Sequence, residues 1–139
     1  IYCEELREEC LRERKSLIFE TVLSRRDKVD YIRRAKEAGF FVRIFFVCTE
    51  SPTINAMRIA KRVMQGGHDV PITKIISRYK LSVANCIDVA KIVDRCYLYD
   101  NSVEYSDARP LFRAVDGKVF KRYTENMPSW AQLIERKLE

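Results

Sequence analysis

Two features of the chain predict an α/β fold built on a parallel sheet, and a third predicts where its site lies. Short apolar runs rich in aromatic and β-branched residues alternate with stretches at helical spacing. Such alternation implies right-handed strand-helix-strand units, whose parallel sheet is covered by helices on both faces. Polar residues follow each predicted strand, at Glu20-Thr21, Thr49-Glu50-Ser51 and Asp100-Asn101-Ser102. In sheets of this kind ligands bind beyond the carboxyl ends of the strands.

Taken in order, Tyr2 to Lys15 reads as a mostly solvated helix, since Leu6, Cys10 and Leu11 form only a narrow stripe among Glu and Arg. Leu17-Ile18-Phe19 reads as a short buried strand. Asp27 to Ala38 has helical spacing through Val29, Ile32 and Ala35, and Gly39 stands at the C-cap position. Phe40 to Cys48 is an almost unbroken aromatic and β-branched run, as expected of a central strand buried on both faces. That pattern argues against reading its aromatics as a base-stacking platform.

Ser51-Pro52 predicts a helix N-cap and first position, opening a helix through Val63. Two more helical stretches follow, Pro71 to Tyr79 and Ser82 to Lys91, and then a third short strand, Cys96 to Tyr99. Asp116-Gly117 between Leu111 to Val115 and Lys118 to Tyr123 is a hairpin signal. Pro128 to Leu138 reads as a terminal helix with Trp130, Leu133 and Ile134 facing inward. The 139 residues suit one domain, 1–139, with a real core.

Between the predicted helices lies Arg62-Val63-Met64-Gln65-Gly66-Gly67-His68-Asp69-Val70-Pro71, with Arg78-Tyr79 soon after. Paired glycines can end one helix and Pro71 can begin the next. The segment reads either as a solvated loop or as a hinge swinging Arg62 and Arg78 over an anion, which guanidinium groups bind with two parallel hydrogen bonds. Asp69 caps the following helix or pairs with one of these arginines, the cap being preferred. His68, alone in a glycine turn, is given no chemistry.

The net charge of +6 favours anionic partners, phosphates of a nucleotide or of a nucleic acid. Five scattered cysteines and one histidine support neither a disulfide framework nor a zinc site. Cys48 and Cys86 read as small buried hydrophobes of a reducing cytoplasm. No apolar run is long enough to span a bilayer.

The residues Phe19 to Ser24, Arg33 to Gly39, Arg62 to Pro71, Arg78-Tyr79 and Tyr99 to Ser102 resemble, in order, the zeta toxin family of P-loop kinases. The resemblance implies a P-loop kinase-like fold and an ATP- and Mg²⁺-dependent transfer of phosphate to a small hydroxyl substrate. In some members that substrate is the nucleotide sugar UDP-N-acetylglucosamine. It implies that Glu20, with Thr21, Ser24 and Arg25 beside it, meets the acceptor. Arg62 and Arg78 are implied to meet the ATP phosphates, and Asn101 and Ser102 to lie near the adenine. The bottom-up alternative for Glu20 is an ion pair with a nearby arginine, and for Arg33-Arg34 a solvated helix face.

Three departures stand beside the match. The family pattern Thr-Thr-Leu-Ser is Thr21-Val22-Leu23-Ser24 here, and a basic residue after the Arg-Tyr pair is replaced by Leu81. No G-x-x-x-x-G-K-[ST] occurs, since Gly39, Gly66, Gly67 and Gly117 cannot form it. The expectation is therefore a kinase part whose phosphate loop lies upstream, leaving apolar sheet surface for another chain, a second copy or a rearranged strand to cover. The other readings are a noncatalytic relative binding a nucleotide or an antitoxin-like protein, and a basic nucleic-acid-binding module. The last is disfavoured because the charges are spread and no reading motif is present.

Overall fold

The computed structural model describes residues 2–139, and its nine elements follow the predicted order with one exception. Helix α1 (Tyr2–Glu13) and α2 (Arg26–Glu37) precede strand β1 (Arg43–Cys48) and α3 (Pro52–Met64). Then come α4 (Ile72–Ala90), β2 (Arg95–Asp100), β3 (Arg109–Val115), β4 (Lys118–Arg122) and α5 (Ser129–Lys137). The exception is Leu17-Ile18-Phe19, which forms no strand: Ile18 is 97% exposed and the segment lies extended without a ladder. Three apolar residues next to a free edge cannot hold a strand without a partner to pair with.

The sheet runs β1-β2-β3-β4, with β1 and β2 parallel and the other pairs antiparallel. The all-parallel expectation therefore holds only for β1 and β2, because the Asp116-Gly117 turn folds the last strands into a hairpin. Asp116 and Gly117 have φ of 50° and 82°, the left-handed pair that a two-residue hairpin turn requires. Gly39 and Gly66 take φ of 90° and 91° after α2 and α3, as C-terminal glycines do.

Helices cover one face of the sheet. Val29 and Ile32 of α2, Cys86 and Val89 of α4, and Trp130 and Ile134 of α5 pack with Phe46, Leu98 and Phe112 in one core. Leu133, expected inside, is 38% exposed because it lies off the stripe set by Trp130 and Ile134. The opposite face of β1 carries Phe45 and Val47, 59% and 52% exposed, so the expectation of a central strand buried on both sides is overturned. β1 is instead an edge strand with one covered face. Cys48 and Cys86 are buried as expected, and burial pushes the Cys48 thiol up to about 11 and Cys86 well above its usual range.

The two helical stretches expected after Pro71 are one helix of 19 residues, α4, since neither Lys80 nor Leu81 breaks helical backbone. Tyr31 Oη donates to the Arg7 carbonyl at 2.7 Å, and Arg34 pairs with Glu8, so α1 leans on α2 while burying none of its own residues.

Candidate active site

The carboxyl ends of β1 and β2 are tied together before any ligand is considered. Asn101 N donates to the Cys48 carbonyl at 2.8 Å, and Ser102 Oγ accepts from Glu50 N at 2.8 Å. Asp100, buried at the end of β2, accepts from Trp130 Nε1 at 3.0 Å and from Ser102 N at 2.9 Å. Thr49, also buried, donates from Oγ1 to Asn55 Oδ1 at 2.9 Å, and its carbonyl accepts from Tyr79 Oη at 2.6 Å. Burial pushes the Tyr79 phenol well above its ordinary range, so it stays a donor. These bonds hold the starts of α3 and the 101–106 loop against α4.

Around this frame opens a groove of about 1210 Å³. One wall is the extended segment that replaces the expected strand, with Glu20 and Thr21; another is β1. Arg58 and Arg62, one turn apart on α3, and Arg78 of α4 complete it, together with Asn101. Glu20, Thr21, Arg62, Arg78 and Asn101 thus meet in one cavity, as the sequence predicts for a site beyond the strand ends. Nearby cations are already matched with acids, Arg26 with Asp88 at 2.6 Å and Lys61 with Glu104 at 3.1 Å. Among the described residues Arg62 and Arg78 have no acid within ion-pair distance, which leaves both guanidinium groups free for an anion.

Three sequence-predicted residues lie outside the groove. Ser24 does not line it, and Arg25, 74% exposed, pairs with Asp27 at 3.1 Å at the start of α2. Ser102 faces Glu50 N instead of the cavity, although its carbonyl accepts from Arg58 Nη2 at 3.2 Å. Thr21 Oγ1 accepts from Leu23 N at 3.4 Å, a local turn that leaves the hydroxyl at the groove wall. Asp69 neither caps α4 nor meets an arginine; its carboxylate accepts only from Val70 N, at 2.8 Å.

Arg58, Thr49, Asn55 and Tyr79 were not singled out from sequence. Arg58 carries a legible signal, because it stands four residues before Arg62 and therefore on the same helix face. Arg58 and Arg62 also line a second cavity of about 500 Å³ with Asn101, Lys61, Glu104 and Tyr105. There the Lys61 ammonium lies 4.7 Å from the centre of the Tyr105 ring and also meets its hydroxyl. The α3 face thus has phosphate-competent cations toward the groove and an aromatic loop on its other flank.

The family model described as zeta toxin matches residues 2–107. The chain belongs to the zeta toxin family. The match covers all the groove residues and stops before β3, so the hairpin and α5 that back the sheet lie outside it. Family membership places the chain among kinase-like P-loop proteins. No curated protein and no solved structure matches it. No helix is long and apolar enough to cross a membrane.

Proposed function

We propose that this chain is part of an ATP-dependent kinase of the zeta toxin type, transferring the γ-phosphoryl group to a hydroxyl of a small molecule such as a nucleotide sugar. The observation that carries the reading is the groove beyond the ends of β1 and β2, where an exposed carboxylate, Glu20, shares a cavity with the unpaired Arg62 and Arg78. Phosphoryl transfer is chiefly positioning plus stabilisation of charge on the transferred oxygens, and these residues supply both.

In this reading the acceptor oxygen forms a bond to the γ-phosphorus as the bond to the β-phosphate oxygen breaks. ADP leaves, and the hydroxyl proton passes to the Glu20 carboxylate. Arg62 and Arg78 balance the negative charge on the phosphates throughout. Asn101 borders the cavity on the side proposed for the nucleoside. No group of three His, Cys, Asp or Glu able to hold a metal occurs among the described residues. The residues present therefore do not fit Mg²⁺, and no step is derived through it; its ligands and the phosphate loop belong to polypeptide outside these residues.

The absence of G-x-x-x-x-G-K-[ST] from residues 1–139 favours a second reading, a noncatalytic relative that binds nucleotide or an antitoxin-like protein. Turnover separates the two. In the protein completed with a phosphate-loop segment, Arg62→Ala and Arg78→Ala are each expected to lower kcat by about a hundredfold or more. Glu20→Gln lowers kcat with little change in ATP affinity. Unchanged turnover in the arginine variants removes the charge-stabilising role, and no turnover with ATP binding intact favours the noncatalytic relative.

A further inference from the structure

Strand β1 ends the sheet with its backbone unpaired on one side. The Val42 carbonyl accepts from Asp94 N and Arg95 N at 3.1 and 3.2 Å, and the Cys48 carbonyl accepts from Asn101 N. Backbone direction alternates along a strand, so the N–H and C=O groups of Arg43, Phe45 and Val47 point the other way, out of the sheet edge. Native edges are commonly blunted by charge, proline or a covering element. Here the edge opens directly into the groove.

The far wall of that groove is already extended. Ser82 Oγ donates to the Val22 carbonyl at 2.6 Å and Asn85 Nδ2 to the Leu23 carbonyl at 2.9 Å, which fixes the segment's end to α4. Phe19 meets Tyr31 edge-on, with centroids 5.8 Å apart. Between this wall and β1 the cavity presents hydrogen-bonding backbone along one side and apolar side chains along its length. A second copy of the sheet, backed by β2 and its helices, would collide with the 16–22 wall, whereas a lone strand would not.

We propose that the groove receives one extended, apolar polypeptide segment, which adds to the sheet parallel to β1 and delivers its following loop to Arg62 and Arg78. The direction and the loop rest on the kinase reading above; the added strand rests on the bare edge alone. Its residues are apolar on both sides, because one side meets the layer of Ile32 and Phe46 and the other continues the face of Phe45 and Val47. The loop carries or holds an anion, since the cations at that end of the groove are unpaired.

The test uses a fluorescent peptide with solubilising lysines, a short valine and isoleucine run, and a G-x-x-x-x-G-K-S loop. A control peptide has prolines in the run. The chain is expected to bind the first peptide at least about tenfold more tightly than the control and to slow amide exchange at Arg43, Phe45 and Val47. Ile18→Glu and Phe45→Glu, both at exposed positions, should weaken binding about tenfold while the circular dichroism of the free chain is unchanged. No binding by the folded chain overturns the proposal, as does protection of other amides instead. Protection of β1 that grows with protein concentration in the absence of peptide overturns it in favour of a second copy. Peptide docking that Mg²⁺·ATP fails to tighten leaves the added strand standing and removes the kinase reading. ATP binding that depends on Arg62 and Arg78 but proceeds without peptide docking does the reverse.

Discussion

The two faces of the sheet have similar amino-acid chemistry and opposite surroundings. Toward the helices, Phe46 and Cys48 of β1 and Cys96 and Leu98 of β2 are at most 9% exposed. Away from them, Phe45 and Val47 are more than half exposed beside the half-buried Tyr97 and Tyr99. The open face shelters itself in part. Phe45 stacks on Tyr97 at 4.8 Å and 11°, Arg43 and Arg95 both stand 5.5 Å from the Phe41 ring, and Arg113 stands 4.9 Å from that of Phe120. An aromatic face screened by guanidinium groups has the composition of a covered surface and the exposure of a free one, the pairing that marks interaction surfaces.

The comparison is broken first at the covered face. Trp130 fills the space between Phe46 and Asp100, so Trp130→Ala removes a buried ring and orphans a carboxylate at once. Denaturant unfolding should report a loss of about 3–5 kcal/mol. A loss near zero would mean that α5 does not close the core. Asp100→Ala probes the polar part of the same contact and leaves Trp130 Nε1 and Ser102 N without their acceptor. Its expected cost is about 1–3 kcal/mol, and a neutral result would show that water replaces the carboxylate.

How far sequence reaches is visible in β1 itself. The run from Phe40 to Cys48 located the strand to within a few residues, and the Gly39, Gly66 and Asp116-Gly117 turns followed from backbone sterics alone. Covering is a tertiary property, so the same run could not say that nothing described packs on Phe45. Leu17 to Phe19 failed for a related reason, since a strand exists only against a neighbour and apolar content does not supply one. At the site, residues that act by charge were legible: Glu20, Arg62 and Arg78 converge as expected. Those that act by position were not. Ser24 and Arg25 lie a turn too far along the chain, while Asp100 looked like part of a ligand-facing polar cluster and instead locks α5.

A smaller effect is expected at Asp94, which joins α2 to the start of both parallel strands. Its carboxylate accepts from Lys36 Nζ at 2.8 Å and from Val42 N at 2.7 Å. Burial would raise its pKa, but the hydrogen bonds from Lys36 and Val42 outweigh burial and hold it below the usual carboxylate value. A depressed folded pKa adds stability that is complete above the unfolded value, about 3.9, and is lost as pH falls through the lower folded one. Asp94→Asn should therefore cost on the order of 1 kcal/mol at neutral pH, and the gap to the parent should narrow in acid melts. A gap constant with pH would mean that the charge contributes nothing.

The smallest predicted effect discriminates best between the faces. Phe45→Ser removes a large apolar side chain, which in a covered strand would cost several kcal/mol, as Phe46→Ser should. On an open face the ring loses only its stacking on Tyr97 and its contact with Tyr99 at 6.4 Å, so the cost should stay within about 1 kcal/mol. Chemical denaturation of both variants across protein concentration tests the difference. Equal losses would mean that the Phe45 face is covered in solution, and a Phe45→Ser loss that appears only at high concentration would identify a second copy as the cover. A negligible loss at every concentration leaves the face free, with about 25 cal/mol of unused stabilisation for each Å² of apolar surface that a partner buries there.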